Sequence, residues 1–248
     1  MQHKQQYVAQ LFLAKLSFLL LFLLLATRCG QNALRITEDA VQTTANFSGE
    51  KILHVKNIQQ LPELPSGCEV TSSAIVINYL GFQISKTELA DFFPIGGMPH
   101  HQNGVIVGPN PWKEFAGSPY ENGYGCFAPV VTSALNQYLS SIGSKMRAVN
   151  LSGTNARNLL GYIDNGIPVI VWATISMKEP YDGNSWYLQD TEELFTWPAR
   201  EHCLVLIGYS GGNVILCDPL NSQGTTRCEM SLFEKRYKQL YCQAVVVQ

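Results

Sequence analysis

The pattern of hydrophobic and polar positions separates an apolar N-terminal segment from a globular remainder. Residues 16–26 are apolar except for Ser17, and a polar start precedes them. The run is too short to span a bilayer, which takes roughly twenty residues, and its length is typical of a signal-peptide core. We therefore predict a signal peptide or membrane-targeting segment at 1–29, a flexible linker at 30–50 and a folded domain at 51–248.

The end of the apolar run leaves three outcomes open, which we rank as cleavage, lipidation at Cys29 and retention as an uncleaved anchor. Arg28 stands directly before Cys29 and argues against lipidation. All three outcomes imply export. We expect a protein that is secreted or held at the extracellular face of the membrane, with any membrane or cell-wall association made through its N-terminus.

Helical spacing dominates the first half of the domain. Val70, Ala74, Ile77 and Leu80 share one helical face, so the pattern predicts a helix at 69–80 that Gly81 ends. Ser66 is a candidate N-cap for this helix. Similar patterns predict helices at 86–93, 127–141 and 155–165.

Apolar and β-branched runs predict strands that lie mostly late in the chain. They are 52–58, 146–151, 167–175, 203–209, 214–218, 225–229 and 244–247. Segments 94–126 and 176–201 lack periodicity and are typical of binding loops or lids. Their aromatic residues could line a cleft or simply pack: Trp112, Tyr120, Tyr124, Trp186 and Trp197. Helices first and strands later predict an α+β fold rather than a doubly wound parallel sheet.

Charge and cysteine content restrict the function classes. The net charge is −2 with 15% charged residues, and the sequence has no basic stripe for nucleic acid. We also expect a monomer. Seven cysteines in an exported chain leave at least one thiol unpaired. No CxxC pair or zinc spacing occurs, and we expect neither metal nor cofactor. A disulfide bridge between Cys217 and Cys228 is one possible pairing.

Cys68 is the candidate nucleophile. It falls in the first turn of the helix predicted at 69–80, directly after Gly67, whose missing side chain allows a substrate backbone to approach. The partial positive charge of a helix N-terminus lowers the pKa of a thiol, so we expect an ionised sulfur.

A thiolate needs a histidine partner, and His202 is the best placed of five. It opens the strand predicted at 203–209, and a rigid strand positions a base better than a loop does. The other histidines are in the targeting segment, the first strand or the long loop. They are His3, His54, His100 and His101.

Asp218 ends the next predicted strand and is the candidate that orients His202. Gly211 and Gly212 mark a hairpin between the two strands. A two-residue turn at these glycines would set Asp218 opposite Val205, out of reach of His202. We therefore predict a three- or five-residue loop centred on Ser210, which pairs His202 with Asp218 directly.

Negative charge on the carbonyl oxygen during acyl transfer requires preorganised donors. The backbone N–H of Cys68 is one candidate. Gln60 is the second, eight residues upstream in an extended approach, and Gln59 is its competitor. The order Gln60, Cys68, His202, Asp218 is a stronger signal than any of the four alone.

Three stretches of this sequence resemble the bacterial exported C39-like proteins, which are related to bacteriocin-leader peptidases among the papain-like cysteine peptidases. These stretches are 60–72 (QLPELPSGCEVTS), 108–111 with 123–129 (GPNP, GYGCFAP) and 201–209 with 218–219 (EHCLVLIGY, DP). The resemblance implies a papain-like fold with the nucleophile helix packed on an antiparallel sheet. It also implies Cys68 as nucleophile, His202 as base, Asp218 as orienting residue and Gln60 as oxyanion donor.

The function implied is an exported cysteine peptidase that hydrolyses bonds in a peptide or protein substrate through a Cys-His-Asp triad and an acyl-enzyme. The same triad could instead serve a cell-wall peptide amidase or a transglutaminase-like acyl transferase. A surface-binding module that kept the fold without turnover is the alternative from a different class.

Overall fold

The computed structural model describes residues 49–248, so the segment predicted at 1–29 and all but the end of the linker predicted at 30–50 lie outside the described residues. Across 49–248, no helix is both long and apolar enough to cross a membrane. The α-helices are α1 (Cys68–Tyr79), α2 (Lys86–Ala90), α3 (Ala128–Ser141), α4 (Leu160–Asp164) and α5 (Met230–Gln239).

The strands fall mostly after α3, as the sequence predicts. The early ones are β1 (Glu50–Ile52), β2 (Ile95–Gly97), β3 (His100–Gln102), β4 (Val105–Gly108) and β5 (Phe115–Ala116). The later ones are β6 (Ala148–Asn150), β7 (Val169–Thr174), β8 (Tyr181–Leu188), β9 (Leu194–Ala199), β10 (Glu201–Ser210), β11 (Asn213–Cys217), β12 (Thr225–Glu229) and β13 (Ala244–Val247).

A seven-stranded antiparallel sheet forms the centre of the domain. Its strands run in the order β12-β11-β10-β7-β13-β6, and β1 also pairs with β10. β7 is buried at all six positions, which explains its continuous apolar sequence. The predicted α+β fold is confirmed, since helices precede and flank an antiparallel sheet.

Helix α1 packs against this sheet through its first three turns. Ten consecutive residues from Cys68 to Ile77 are buried, so the helix is enclosed on all sides and not only along the predicted face. The hydroxyl of Ser72 donates to the carbonyl oxygen of Cys203 on β10 at 3.1 Å. This bond fixes the first turns of α1 over the start of β10.

The two segments predicted to be irregular contain a second sheet, and that prediction is wrong for much of their length. A four-stranded sheet orders as β3-β4-β8-β9, with β4 parallel to β8. β8 buries Trp186 and Leu188 while neighbouring positions are exposed, which is the alternation of a half-buried strand. Gly183 and Pro198 inside the two hairpin strands conceal this pattern in the sequence.

Helix α5 is absent from the predicted elements, although the signal is present. Met230, Phe233, Tyr237 and Leu240 are buried at helical spacing within a strongly polar stretch. The predicted strand at 52–58 is also largely wrong, since pairing stops at Ile52. All six cysteines in residues 49–248 are free, which excludes the bridge between Cys217 and Cys228.

Candidate active site

Cys68 begins α1 and lies just below the surface with 6% of its area exposed. As a first-turn residue its backbone N–H has no acceptor within the helix. Gly67 is the N-cap residue, and a Cβ there would come within 2.7 Å of Leu64 Cβ. The predicted cap by Ser66 is wrong, because its hydroxyl instead accepts the N–H of Gly123 at 2.8 Å. Ser66 therefore ties the approach to α1 to the loop before α3.

His202 and Asp218 form a buried pair on neighbouring strands. Nε2 of His202 lies 2.8 Å from Oδ1 of Asp218, and His202 is 1% exposed. The same Oδ1 accepts the N–H of Leu220 at 2.9 Å, and Oδ2 accepts the hydroxyl of Thr226 at 3.3 Å. Burial acts to raise the pKa of the Asp218 carboxyl, but the bond and charge of His202, with these two donors, hold it below its ordinary value.

The loop and register of the hairpin between β10 and β11 differ from those predicted, although His202 and Asp218 still meet. The odd-length loop is wrong: Ser210 pairs with Asn213, which leaves Gly211 and Gly212 as a two-residue turn. A β-bulge at Ile207 then shifts the register by one residue, so Cys217 pairs with Val205. Because side chains alternate between the two faces of a sheet, this shift of one residue turns Asp218 to the face that carries His202.

The thiol of Cys68 turns toward a carboxylate. Its Sγ lies 3.3 Å from Oε2 of Glu69. Burial raises the pKa of the Cys68 thiol well above its ordinary value, and the charges of Glu69 and Glu201 raise it further. The expected lowering of this pKa is therefore wrong for this arrangement, because burial and two carboxyl groups outweigh the helix N-terminus.

The other nitrogen of His202 is left free. Nδ1 is buried and has no hydrogen-bond partner, so it is not bonded to the Cys68 thiol. A carboxylate only accepts hydrogen bonds, which assigns the ring proton to Nε2, facing Asp218. In a neutral ring, Nδ1 is then the basic nitrogen.

Glu69 is fully buried and locked in place by the loop before α3. Its Oε1 accepts the backbone N–H of Cys126 at 2.6 Å. A Cβ on Gly125 would lie 2.0 Å from the same oxygen, so only glycine fits at this position. Burial raises the pKa of the Glu69 carboxyl.

Glu201 approaches the same place from β10. It is 8% exposed, and its Oε1 is buried without a hydrogen-bond partner. Burial raises its pKa well above the ordinary value, and the charge of Glu69 adds to that rise. Ligand atoms of Cys68, Glu69 and Glu201 all lie within 4.8 Å of one another, which makes this trio the candidate metal-binding group in residues 49–248.

Sequence reasoning missed both glutamates. Each is the direct neighbour of a candidate catalytic residue, and each is a charged residue inside an otherwise buried element. A charged residue inside a buried element, next to a candidate catalytic residue, could have indicated both glutamates, because charged side chains are rarely buried without a partner or a function.

Gln60 and Gln59 occupy different environments. Gln60 is 2% exposed, its backbone N–H donates to Pro219 O at 2.8 Å, and its side-chain Nε2 donates to Pro65 O at 2.9 Å. Gln59 is exposed and bonds to Asn221 O through its own amide. Of the two competitors, Gln60 alone is buried, and it lies beside the Asp218–Pro219 segment.

Lys86 holds the backbone of this glutamine segment. The residue is largely buried in α2, and its ammonium donates to the carbonyl oxygens of Gln59 and Gln60, the latter at 2.7 Å. It also forms an ion pair with Glu63 at 2.6 Å. Because all three acceptors lie between Gln59 and Glu63, these contacts fix the conformation of that segment.

A cavity of about 770 Å³ borders His202 and Asp218. Its lining mixes apolar and charged groups, among them Leu232, Arg227 and Glu229. The candidate aromatic residues, apart from the exposed Tyr120, pack against one another and against Phe127 and Phe195 instead of lining this cavity: Trp112, Tyr124, Trp186 and Trp197. His54, His100 and His101 are exposed.

Comparisons with known proteins agree with this architecture. A protein from Bacillus anthracis, proposed to be a C39-like peptidase, has a crystal structure that matches with a TM-score of 0.70 at 29% identity. The match covers 81% of this chain and 98% of that one. The uncharacterized protein YvpB of Bacillus subtilis (strain 168) is 28% identical over 193 residues, which span 77% of this chain and 73% of YvpB.

The model of the Peptidase C39-like family matches residues 52–245. A helix that begins at Cys68 and packs on an antiparallel sheet is also the papain-like arrangement expected from the sequence. The chain therefore belongs to the Peptidase C39-like family.

Proposed function

We propose that this protein is an exported cysteine peptidase that hydrolyses peptide bonds, with Cys68 as nucleophile, His202 as base and Asp218 as orienting residue. The observation that carries the proposal is the buried 2.8 Å contact between His202 Nε2 and Asp218 Oδ1, which leaves Nδ1 free to take a proton. Membership of the Peptidase C39-like family supports the same reaction class.

The position of the nucleophile relative to the base supports this assignment. Cys68 and Ser72 are one turn apart on α1, and Ser72 is bonded to Cys203, the residue after His202. The sulfur also lies within 4.8 Å of a carboxylate oxygen of Glu201, the residue before His202. Cys68 is therefore held beside the start of β10, next to the two residues that flank the base.

The proposed reaction begins when the Cys68 side chain rotates from Glu69 toward Nδ1 of His202. Nδ1 takes the thiol proton, the sulfur attacks the substrate carbonyl, and the imidazolium then protonates the leaving amine. Water, deprotonated by the same nitrogen, releases the acyl-enzyme. Asp218 keeps the ring in the tautomer that this sequence needs.

The oxyanion is held by the backbone N–H of Cys68 and the side-chain amide of Gln60. The Gln60 amide nitrogen carries two protons and uses one on Pro65 O, so the second is available for the substrate. Contacts of Lys86 to the neighbouring carbonyls preorganise this segment before substrate binds.

We further propose a peptide or protein substrate, no nucleic-acid partner and a monomeric state, with export through the N-terminal segment. The cavity beside His202 and Asp218 is large enough for side chains of a bound peptide. The low charge and the absence of a basic stripe in the sequence favour this substrate class over nucleic acid.

The test is a digest of a peptide library by the protein lacking residues 1–30, with Cys68→Ala as control. We expect cleavage that the control lacks, together with labelling of Cys68 by a thiol-directed probe that is faster than labelling of the partly exposed Cys242. Added primary amines separate two enzyme classes, since a transferase incorporates them and a hydrolase does not. No cleavage together with an ordinary labelling rate would overturn the peptidase proposal in favour of a binding module.

A further inference from the structure

Three acidic ligand groups lie close together at the N-terminus of α1, and no positively charged side chain lies among them. They are the thiol of Cys68 and the carboxyl groups of Glu69 and Glu201, whose ligand atoms lie within 4.8 Å of one another. None of the ion pairs in residues 49–248 includes Glu69 or Glu201. Burying such groups without compensation is costly.

The thiol proton offsets the cost of burying this cluster only in part. The thiol proton serves one contact, from Cys68 to Glu69 Oε2. Oε1 of Glu201 remains buried without a partner, in a residue of which more than nine-tenths is buried. A cation, unlike a proton, can contact all three groups at once.

The distance between the ligand atoms of Cys68 and Glu69 matches that of two ligands on a tetrahedral metal. Zinc bonds of about 2.3 Å to sulfur and about 2.0 Å to carboxylate oxygen separate two such ligands by roughly 3.5 Å. Sγ of Cys68 and Oε2 of Glu69 are 3.3 Å apart. We propose that Cys68, Glu69 and Glu201 form a binding site for a thiophilic divalent cation, with Zn²⁺ the best match to these ligands.

The surroundings orient the ligands as metal sites require. The second oxygen of Glu69 accepts the Cys126 N–H at 2.6 Å, and it occupies the space that a side chain at Gly125 would fill. Hydrogen bonds of this kind to a ligating carboxylate are typical of metal sites. Three anionic ligands on a dication leave one net negative charge, which the N-terminus of α1 favours.

The choice of metal follows from the ligands. Ca²⁺ and Mg²⁺ take oxygen ligands, so the thiolate of Cys68 disfavours both. Binding of Zn²⁺ forms one Zn–S and two Zn–O bonds and releases the thiol proton, with any carboxyl proton, to solvent. The cluster lies just below the surface, since Cys68 and Glu201 keep 6% and 8% of their area exposed.

The consequence for catalysis rests on the proposed function. A sulfur bound to a cation beside Glu69 is not available to attack a substrate or to reach His202. Stoichiometric Zn²⁺ should therefore inhibit peptide cleavage, and a chelator should restore it. Removal of Zn²⁺ acts in this scheme as the step that frees the nucleophile.

The test uses Co²⁺ as a spectroscopic substitute for Zn²⁺ under reducing conditions. We expect one bound equivalent with a thiolate-to-cobalt charge-transfer absorption in the near ultraviolet. Cys68→Ser should abolish this band, and Glu201→Gln should weaken Zn²⁺ binding, measured by competition with a chelator, by about tenfold or more. Cys228→Ser is the matched control, because it changes a buried cysteine on β12 and should leave both readouts unchanged.

The cobalt spectrum does not depend on catalysis, so a result can contradict the cation site without contradicting the peptidase proposal, and the reverse. Absence of the band in the unmodified protein, or a band and affinity that Glu201→Gln leaves unchanged, overturns the cation site even when peptides are cleaved. A band with the expected losses, together with no peptide cleavage by the metal-free protein, keeps the cation site and overturns the peptidase proposal. Thermal melting of each variant verifies that it is folded.

Discussion

The sulfur of Cys68 lies 3.3 Å from Oε2 of Glu69, while Nδ1 of His202 is buried without a partner. The nucleophile and base of the proposed reaction are thus held on adjoining elements but are not bonded to each other. Burial raises the pKa of the Cys68 thiol most, and the charge of Glu69 raises it further, so Glu69 contributes to the low resting reactivity of Cys68.

Replacing Glu69 with glutamine should increase the reactivity of Cys68. The substitution removes the negative charge beside the sulfur, while the glutamine Oε1 still accepts the Cys126 N–H. The alkylation rate at neutral pH should rise by roughly tenfold for each unit by which the thiol pKa falls. Glu193→Gln, at an exposed position, is the control. An unchanged or slower alkylation rate would contradict the role given to Glu69.

Asp218→Asn should remove the orienting contact to His202. An amide can donate to Nε2, which moves the ring proton to Nδ1 and removes the proposed base. We expect kcat on a cleaved peptide to fall by roughly 10²- to 10⁴-fold with little change in KM. Thr226→Val loses the long 3.3 Å bond to Asp218 and the 3.2 Å bond that it accepts from Asn221 Nδ2, and it should cost far less. Equal losses in the two variants would exclude a special role for the carboxylate.

Gln60→Ala and Gln59→Ala form a matched pair. Gln60 is buried beside the Asp218–Pro219 segment, whereas Gln59 is exposed. Loss of one oxyanion donor typically lowers kcat by about 10²- to 10³-fold, so Gln60→Ala should show a loss of that size and Gln59→Ala almost none. The measurement is kcat and KM for one peptide substrate. If the larger loss came from Gln59→Ala, the assignment of the oxyanion donor would be reversed.

Gly125→Ala should destabilise the protein and disturb Glu69. The new Cβ would lie 2.0 Å from Glu69 Oε1, so either the carboxylate or the loop must move. We expect a loss of about 1–3 kcal/mol in the free energy of unfolding, measured by urea denaturation. Gly161→Ala in α4 meets no atom within 4 Å and should be neutral or slightly stabilising. Similar unfolding curves for both variants would show that Glu69 is not tightly held.

Acid should destabilise the domain through Asp218. The pKa of this carboxyl is lower in the folded protein than in the unfolded chain, so its stabilising effect is present above the unfolded value of about 3.9. That effect is lost as pH falls through the folded pKa. The free energy of unfolding should therefore decrease below about pH 4, and Asp218→Asn should flatten this part of the profile. An identical profile in the variant would assign acid denaturation to other carboxyl groups.

The sequence by itself determined the elements whose signals are local. Helix α1 begins within one residue of its predicted start, because its apolar spacing and the preceding proline and glycine residues act within a few residues. The buried strand β7 and the positions of the strands late in the chain follow from β-branched runs in the same way. The four proposed catalytic residues were also chosen from local context, and their roles stay predictions.

Only the tertiary structure decided how these elements meet. The β-bulge at Ile207 turns Asp218 to the face of His202 through a two-residue turn, and no local pattern distinguishes that register from the odd-length loop. Glu69 and Glu201 are far apart in the chain and become neighbours only when α1 packs on β10. The pKa of Cys68 follows from that packing, since burial and neighbouring charges arise from long-range contacts that a helix terminus cannot reveal.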